Sequence, residues 1–390
     1  ADMSVVKINF KPISDIDDIQ YTEQIALAVN CWSDDYVGKN LFYLYDGGAV
    51  DHVLASAAKL IICQPNKIFL GAASVLEIDD FEYLVDGSIV SINTAGKIRV
   101  LFNPNSLNNA LFVTDACNNY CIMCPQPPKP FLKETATSQL KEILSLIRTK
   151  DAPEVLGITG GEPTMIKEGL LEVIELIKTK FPSTGIQLLS NGRLFAYGDF
   201  THALGNITKN LFVCVPLFGA TPDIHDYIVQ SEGAFDQTVA GLYECKRNNI
   251  DIELRVVLHK QTIEDLDLLV EFIHRNLPFV GHVAFMGMEN MGFAKMNYSE
   301  LWIDPVDYME VLGSAVKTLS RFGMTVSVFN LPFCIVDKDI WNHCKQSISD
   351  FKTVYSEKCK CCSKQSECAG FFSSTNSKFL LTELKNIKPL

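Results

Sequence analysis

What this 390-residue sequence lacks narrows its function first. No stretch approaches the ~18 consecutive apolar residues of a membrane span, residues 211–220 being the longest run. No long Lys/Arg run is present, and 46 acidic against 34 basic residues give a formal charge of -12, which is not the electrostatic footprint of a nucleic-acid binder. The charged-then-apolar layout of a secretory signal is missing from the N-terminus, where Ala1 and Asp2 ahead of Met3 are set aside as an added stub. The expectation is a cytoplasmic protein with neither a membrane nor a nucleic-acid partner. Internal repeats and low-complexity tracts are also missing. At 47% apolar and 21% charged residues the chain has the composition of a folded globular protein. At ~150 residues per domain its length allows two or three domains, or one large barrel with additions.

Cysteine is the residue in excess. Thirteen, an odd number in a chain without export signals, argue against a disulfide framework and for metal or redox chemistry. Cys117, Cys121 and Cys124 cluster early, and Cys334, Cys344, Cys359, Cys361, Cys362 and Cys368 cluster late. Cys31, Cys63, Cys214 and Cys245 are scattered and read as small buried hydrophobes.

Between residues 111 and 329 short β-branched and aliphatic runs alternate with helical periodicity, the pattern of βα units and a parallel sheet, and 106–329 is read as one domain. Six strands are predicted, at residues 111–114, 155–159, 186–190, 211–217, 252–258 and 282–286, with a further one at 325–329. Between them, stripes such as Leu140, Ile143, Leu144 and Ile147 recur at helical spacing and read as core packing. Residues 1–105 read as a separate β-rich domain, with aromatic and β-branched segments at 41–45 and 89–101, the latter broken as a hairpin would be at Thr94, Ala95 and Gly96. Residues 103–106 suggest a linker, and 330–390 form a cysteine-rich tail.

The first predicted barrel strand runs into Cys117-Asn-Asn-Tyr-Cys121-Ile-Met-Cys124, a CxxxCxxC spacing. Three thiolates on an iron–sulfur cube leave one of its four irons uncovered, by the logic that separates an open catalytic metal site from a closed structural one. Structural zinc is the competing reading; the CxxxC half and the lack of a nearby His or fourth Cys weigh against it. The second strand ends in Gly160-Gly161-Glu162-Pro163, at the strand end where ligands sit in parallel α/β sheets. Alone this would be an ordinary tight turn; paired glycines also let a ligand approach the backbone, and a carboxylate can receive an ammonium group.

Together these two motifs resemble those of the radical S-adenosylmethionine (SAM) superfamily. The resemblance implies an α/β fold, a partial (β/α)6 barrel, and a [4Fe-4S] cluster on Cys117, Cys121 and Cys124 with SAM chelated at the open iron. It further places Gly160, Gly161 and Glu162 at the SAM amino group, Ser190 and Asn191 at its ribose or carboxylate, Arg255 at its carboxylate and Gly287 near the adenine. The residue before the third cysteine, usually aromatic in the superfamily, is Met123, whose polarizable thioether can cover adenine. His225, Asp226 and His259 follow later strands, where a satisfied loop residue competes with a substrate contact, and Glu289 and Asn290 lie beyond the sixth strand as pocket candidates at the mouth. The residues that act on the substrate are not identified.

In the tail, Cys359, Cys362 and Cys368 form CxxCxxxxxC, and Cys334 would complete a four-thiolate auxiliary [4Fe-4S] cluster. A zinc ribbon normally needs a second CxxC pair. Cys344 and Cys361 remain alternatives for Cys334 or Cys362, because spacing alone does not settle ligation. Auxiliary clusters after the barrel resemble the SPASM and twitch extensions of peptide-modifying radical SAM enzymes. More narrowly, residues 117–128 (Cys-Asn-Asn-Tyr-Cys-Ile-Met-Cys-Pro-Gln-Pro-Pro), 347–350 and 368–373 resemble the His-Xaa-Ser system radical SAM maturases (HxsC), over roughly residues 85–376. That resemblance implies a ribosomally made peptide substrate with His-Xaa-Ser repeats, a second radical SAM protein, a small accessory protein and an electron donor. It implies reductive SAM cleavage to a 5′-deoxyadenosyl radical, hydrogen abstraction, and an oxidative modification or crosslink. Rival readings are a radical SAM oxidoreductase or activase acting elsewhere, or a non-catalytic iron–sulfur subunit. The N-terminal domain could recognise peptide by adding a strand to a sheet edge.

Overall fold

The computed structural model describes residues 6–8, 11–12, 24–63, 75–77, 84–92, 98–129, 136–346 and 353–372. The tail stretch 347–350, Ser373 and the predicted hairpin tip at Thr94, Ala95 and Gly96 lie outside them. Two eight-stranded sheets carry the architecture. The first comprises β1 (Val6–Ile8), β2 (Lys11–Pro12), β3 (Gln24–Val29), β4 (Leu41–Tyr45), β5 (Leu60–Cys63), β6 (Val75–Glu77), β7 (Ile89–Ile92) and β8 (Ile98–Phe102), ordered β1-β8-β7-β3-β4-β5-β6-β2. β7 and β8 form the predicted antiparallel pair. The other half of the sheet is parallel, β3 through β6, with helix α1 (His52–Ala57) crossing from β4 to β5. The predicted segment 41–45 is β4 of this half, but the other strands went unread: β5, for one, is buried along its whole length, and a fully buried run carries no alternation.

The second sheet is entirely parallel, in chain order: β9 (Asn109–Phe112), β10 (Val155–Thr159), β11 (Gly185–Leu189), β12 (Leu211–Pro216), β13 (Asp251–Leu258), β14 (His282–Gly287), β15 (Thr325–Phe329) and β16 (Cys344–Lys345). The six expected strands are present and the sheet continues through the seventh. The connections carry α2 (Ala136–Leu146), α3 (Glu168–Lys180), α4 (Gly198–Ile207), α5 (Pro222–Val229), α6 (Ala234–Arg247), α7 (Lys260–Glu264), α8 (Leu266–Asn276), α9 (Gly292–Met296), α10 (Tyr298–Leu301) and α11 (Met309–Arg321). In α8, Leu266, Leu269, Val270 and Ile273 are buried on one face, while Glu271 and Arg275 pair at 2.8 Å on the exposed one. In β13 the side chains alternate: Leu254, Val256 and Leu258 are buried toward the helices, and Arg255 and Val257 line the barrel's cavity. None of the helices among the described residues is long and apolar enough to cross a membrane.

The two sheets share a core. Ile25, Leu27, Tyr43, Ile61 and Phe102 join Leu140, Ile143, Leu144 and Ile147 in one cluster, and the opposite face of the first sheet packs Ala28, Phe42, Leu44, Ile62 and Val90 in another. Arg148 seals the junction. It donates to Asp86 Oδ2 at 2.7 Å, the Asp86 carbonyl at 3.0 Å, the Tyr36 hydroxyl at 3.1 Å and the Asp151 carboxylate. Residues 103–106 form a compact turn closed by Asn109, whose amide donates to the carbonyls of Asn103 and Ser106. After the barrel, β17 (Thr353–Val354) and β18 (Phe371–Phe372) pair antiparallel and bracket short 3-10 turns that carry the tail cysteines.

Candidate metal centre and cofactor pocket

Parallel strands all end at one mouth of a barrel, so loops that follow them converge there. β9 leaves its ladder at Thr114, whose carbonyl accepts the Gly161 amide at 2.6 Å, and the chain enters the cysteine loop. Ala116 O accepts the Glu162 amide at 2.8 Å. These contacts explain the glycines. A Cβ on Gly161 would stand 2.2 Å from Ala116 O, and one on Gly160 2.6 Å from Thr114 O. The pair lets the strand end press against the backbone of the cysteine loop.

The rest of the loop is held from three sides. Tyr120 and Ile122 amides donate to Val229 O and Ile228 O at 3.0 and 2.9 Å, and the Phe293 amide donates to Cys124 O at 2.8 Å. Arg193 donates to Asn118 O at 2.7 Å and Asn119 Oδ1 at 2.6 Å, while its Nε donates to Gln237 at 2.7 Å. Nothing in the sequence singled out Arg193; a lone arginine after a Ser-Asn-Gly turn reads as surface.

The loop lines a cavity of about 340 Å³. Cys117, Cys121, Met123, Cys124, Gly160, Gly161, Ser190, Asn191, Arg255 and Gly287, all expected at the site, border it. Glu162 does not. It is fully buried behind the wall, where Oε1 accepts from the Thr164 amide at 3.0 Å, the Thr164 hydroxyl at 2.5 Å and the Ser190 hydroxyl at 2.7 Å. Its Oε2 accepts the Asn191 amide at 2.6 Å. Burial pushes its carboxyl above the usual range against these bonds. The Asn191 side chain is likewise engaged, donating to Asn118 Oδ1 at 2.6 Å and accepting from the Arg193 amide. Arg255 is the one cation among the lining residues.

Burial pushes all three loop thiols up, Cys117 to about 12 with the Glu162 charge adding to the effect, and the three influence one another. Among the described residues, no three His, Cys, Asp or Glu side chains are arranged to hold a single metal ion. All three thiols line one cavity, where burial favours their neutral form unless a bound cation compensates the thiolate charge.

His225 and His259 lie away from this chemistry. His225 is buried, accepts the Phe218 amide at Nδ1 and packs on Phe218 and Phe235; His259 is buried against Thr262 and Gln261. Desolvation lowers each to about 4. Asp226 caps the turn into α6, accepting the amides of Gly233 and Phe235. Glu289 borders the cavity; Asn290 is half-buried outside it. Cys214, expected to be a plain buried residue, is buried yet borders the cavity, with Gln187 donating to its sulfur at 3.4 Å.

The tail cysteines gather near the barrel mouth. Cys368 Sγ accepts the amides of Phe333 and Gly370 at 3.4 Å, which brings it to the residue before Cys334, and Cys344, Cys359 and Cys362 are in its neighbourhood. Cys361 is exposed. Phe372, four residues beyond Cys368, lines the cavity.

A parallel α/β sheet thus brings three thiols and a glycine-rich strand end to one mouth. Residues 111–273 match the radical SAM superfamily and form a domain of that superfamily, whose members use a [4Fe-4S] cluster and SAM. Fe-coproporphyrin III synthase from Methanosarcina barkeri is 28% identical over 163 residues, 41% of this chain and 39% of that protein. GTP 3′,8-cyclase from Desulforamulus reducens is 34% identical over 100 residues, 24% of this chain and 30% of that protein. The chain therefore spans well under half the length of these curated relatives. Among solved structures, SuiB from Streptococcus suis bound to S-adenosylmethionine has 12% identity and a TM-score of 0.49, covering 64% of this chain and 55% of that one. A radical SAM methyltransferase from Sphaerobacter thermophilus has 12% identity and a TM-score of 0.41, covering 62% and 73%.

Proposed function

We propose that the chain is a radical SAM maturase of a ribosomally made peptide, with Cys117, Cys121 and Cys124 as ligands of the SAM-binding [4Fe-4S] cluster. The observation that carries the reading is the convergence of these thiols, the Gly160–Gly161 wall and Arg255 on one cavity. When bound, cluster and SAM supply reductive cleavage of the sulfonium to methionine and a 5′-deoxyadenosyl radical. The chain's own contribution is placement. Arg255 receives the SAM carboxylate, and the cavity's extent, about 340 Å³, suits a nucleoside-sized ligand. Met123, Phe218 and Met288, all buried, wall the cavity with apolar surface and keep water from the reacting atoms. Glu162 acts on the frame: by accepting from Ser190 and Asn191 it ties the end of β11 to the end of β10.

Cys359, Cys362 and Cys368, with Cys334 or Cys344 as the fourth, are the ligands of an auxiliary [4Fe-4S] cluster. Their proximity to Cys368 favours this reading, and the Phe371–Phe372 strand ties the tail to the cavity. The substrate is a peptide with His-Xaa-Ser repeats, the product an oxidised or crosslinked side chain; residues 1–105 serve peptide recognition, and a second radical SAM protein, a small accessory protein and an electron donor are partners. The likeness of residues 117–128 to HxsC supports this part. Co-expression with a candidate repeat peptide followed by mass spectrometry tests it: a repeat-bearing peptide loses hydrogen and accelerates SAM turnover. A peptide of unchanged mass, with SAM turnover accelerated instead by another protein or small molecule, would transfer the assignment to an oxidoreductase or activase.

A further inference from the structure

Below the cavity, a polar chain crosses three consecutive barrel strands. Arg255 Nε donates to Glu253 Oε1 at 2.7 Å, the other carboxylate oxygen of Glu253 accepts His282 Nδ1 at 2.8 Å, and His282 Nε2 stands 2.9 Å from Ser327 Oγ. The register makes it: Glu253 pairs with His282 across β13–β14, and Ser327 stands on β15 beside Ala284. Its order is that of a hydrolase triad, but Ser327 is buried and neither it nor His282 borders the cavity, so it is not arranged to attack a substrate. Of the chain, only Arg255 reaches the cavity.

Two ionised groups in a barrel interior are costly unless geometry is fixed and the remaining lone pairs are satisfied. Both carboxylate oxygens of Glu253 are used, one on the guanidinium and one on the imidazole. Occupying Nε fixes the plane of the guanidinium, and Arg255 borders the cavity together with Cys214. We propose that Glu253, locked by His282 and Ser327, is a positioning residue that presents Arg255 to the carboxylate of SAM. This rests on the SAM-binding reading above. Glu253 touches no ligand; it acts by removing the rotamer freedom Arg255 would otherwise lose on binding.

The test uses the full chain, reconstituted anaerobically, with SAM affinity measured by equilibrium dialysis and 5′-deoxyadenosine formation by chromatography. Glu253→Ala is expected to weaken SAM binding about tenfold or more and raise its KM by the same factor, with kcat within about twofold. Glu253→Gln, whose amide oxygen still accepts Nε, restores affinity to within about threefold. His282→Ala weakens binding less than Glu253→Ala, and the double variant is no worse than Glu253→Ala alone, because both act on one side chain. Unchanged SAM affinity in a folded Glu253→Ala overturns the proposal, as does equal loss in Glu253→Ala and Glu253→Gln together with falling kcat and melting temperature. Wild-type chain that binds no SAM overturns the SAM-binding reading itself.

Discussion

The two cysteine groups of this chain are built in opposite ways. The loop of Cys117, Cys121 and Cys124 is pinned by backbone bonds to the turn after β10, to α5 and to α9, and by the Arg193 fork. The tail group sits on 3-10 turns of three and five residues whose bonds are mostly local, with a two-residue strand pair beside them. A site preformed by the fold spends little of its metal affinity on ordering the chain, whereas a site on short turns couples metal binding to folding. Under the proposed function, the first arrangement suits a centre with an open coordination position in a fixed place, and the second a closed centre that braces the region around it.

Breaking the first group should have the largest effect. The triple variant Cys117→Ala, Cys121→Ala, Cys124→Ala is expected to lose about four irons and all measurable 5′-deoxyadenosine formation, while the barrel stays folded by circular dichroism. A smaller but still large loss follows from moving the loop without touching a thiol. Gly161→Ala puts a Cβ against Ala116 O, and a displacement of ~1 Å costs on the order of 100-fold in rate. Iron content should stay within one atom of wild type, which separates misplacement from ligand loss. The tail contrasts with both: Cys368→Ala should lower iron by about four and the melting temperature of the metal-loaded protein, yet leave uncoupled SAM cleavage within about threefold. Equal loss of SAM cleavage in the tail and loop variants would mean that the two cysteine groups serve the same step.

The smallest effect concerns the frame that supports the loop. His225 and His259 are held neutral by burial, each lowered to about 4, so the unfolded chain binds more protons than the folded one from pH ~6.5 down to that value. Stability should therefore fall as pH drops through this window, by up to about 1.4 kcal/mol per pH unit for each histidine, and His225→Gln should flatten the dependence in a denaturant titration across pH 4–7.

Much of this was legible in the sequence because it depended on local pattern. CxxxCxxC and the Gly-Gly pair are contiguous, and the barrel strands announce themselves as short aliphatic runs between helical stripes. Ten of the eleven residues expected at the SAM pocket border one cavity. The exception, Glu162, shows the limit: a carboxylate beside two glycines looks like a ligand group, and only the fold shows its four bonds turned inward. Arg193, Glu253 and His282 escaped notice for the same reason, since each matters through a partner on another strand or loop, a register that sequence spacing does not encode. In the parallel half of the first sheet β4 was legible as an aromatic run, whereas β5, buried along its whole length, carries no period.

If Cys117, Cys121 and Cys124 hold an iron–sulfur cube, one of its irons is left open for SAM. Electron spin resonance of the reduced, anaerobically reconstituted chain, before and after SAM is added, tests it directly. A signal that shifts on SAM addition, and does so in wild type but not in the triple cysteine variant, is the predicted result; a cluster signal indifferent to SAM would contradict it.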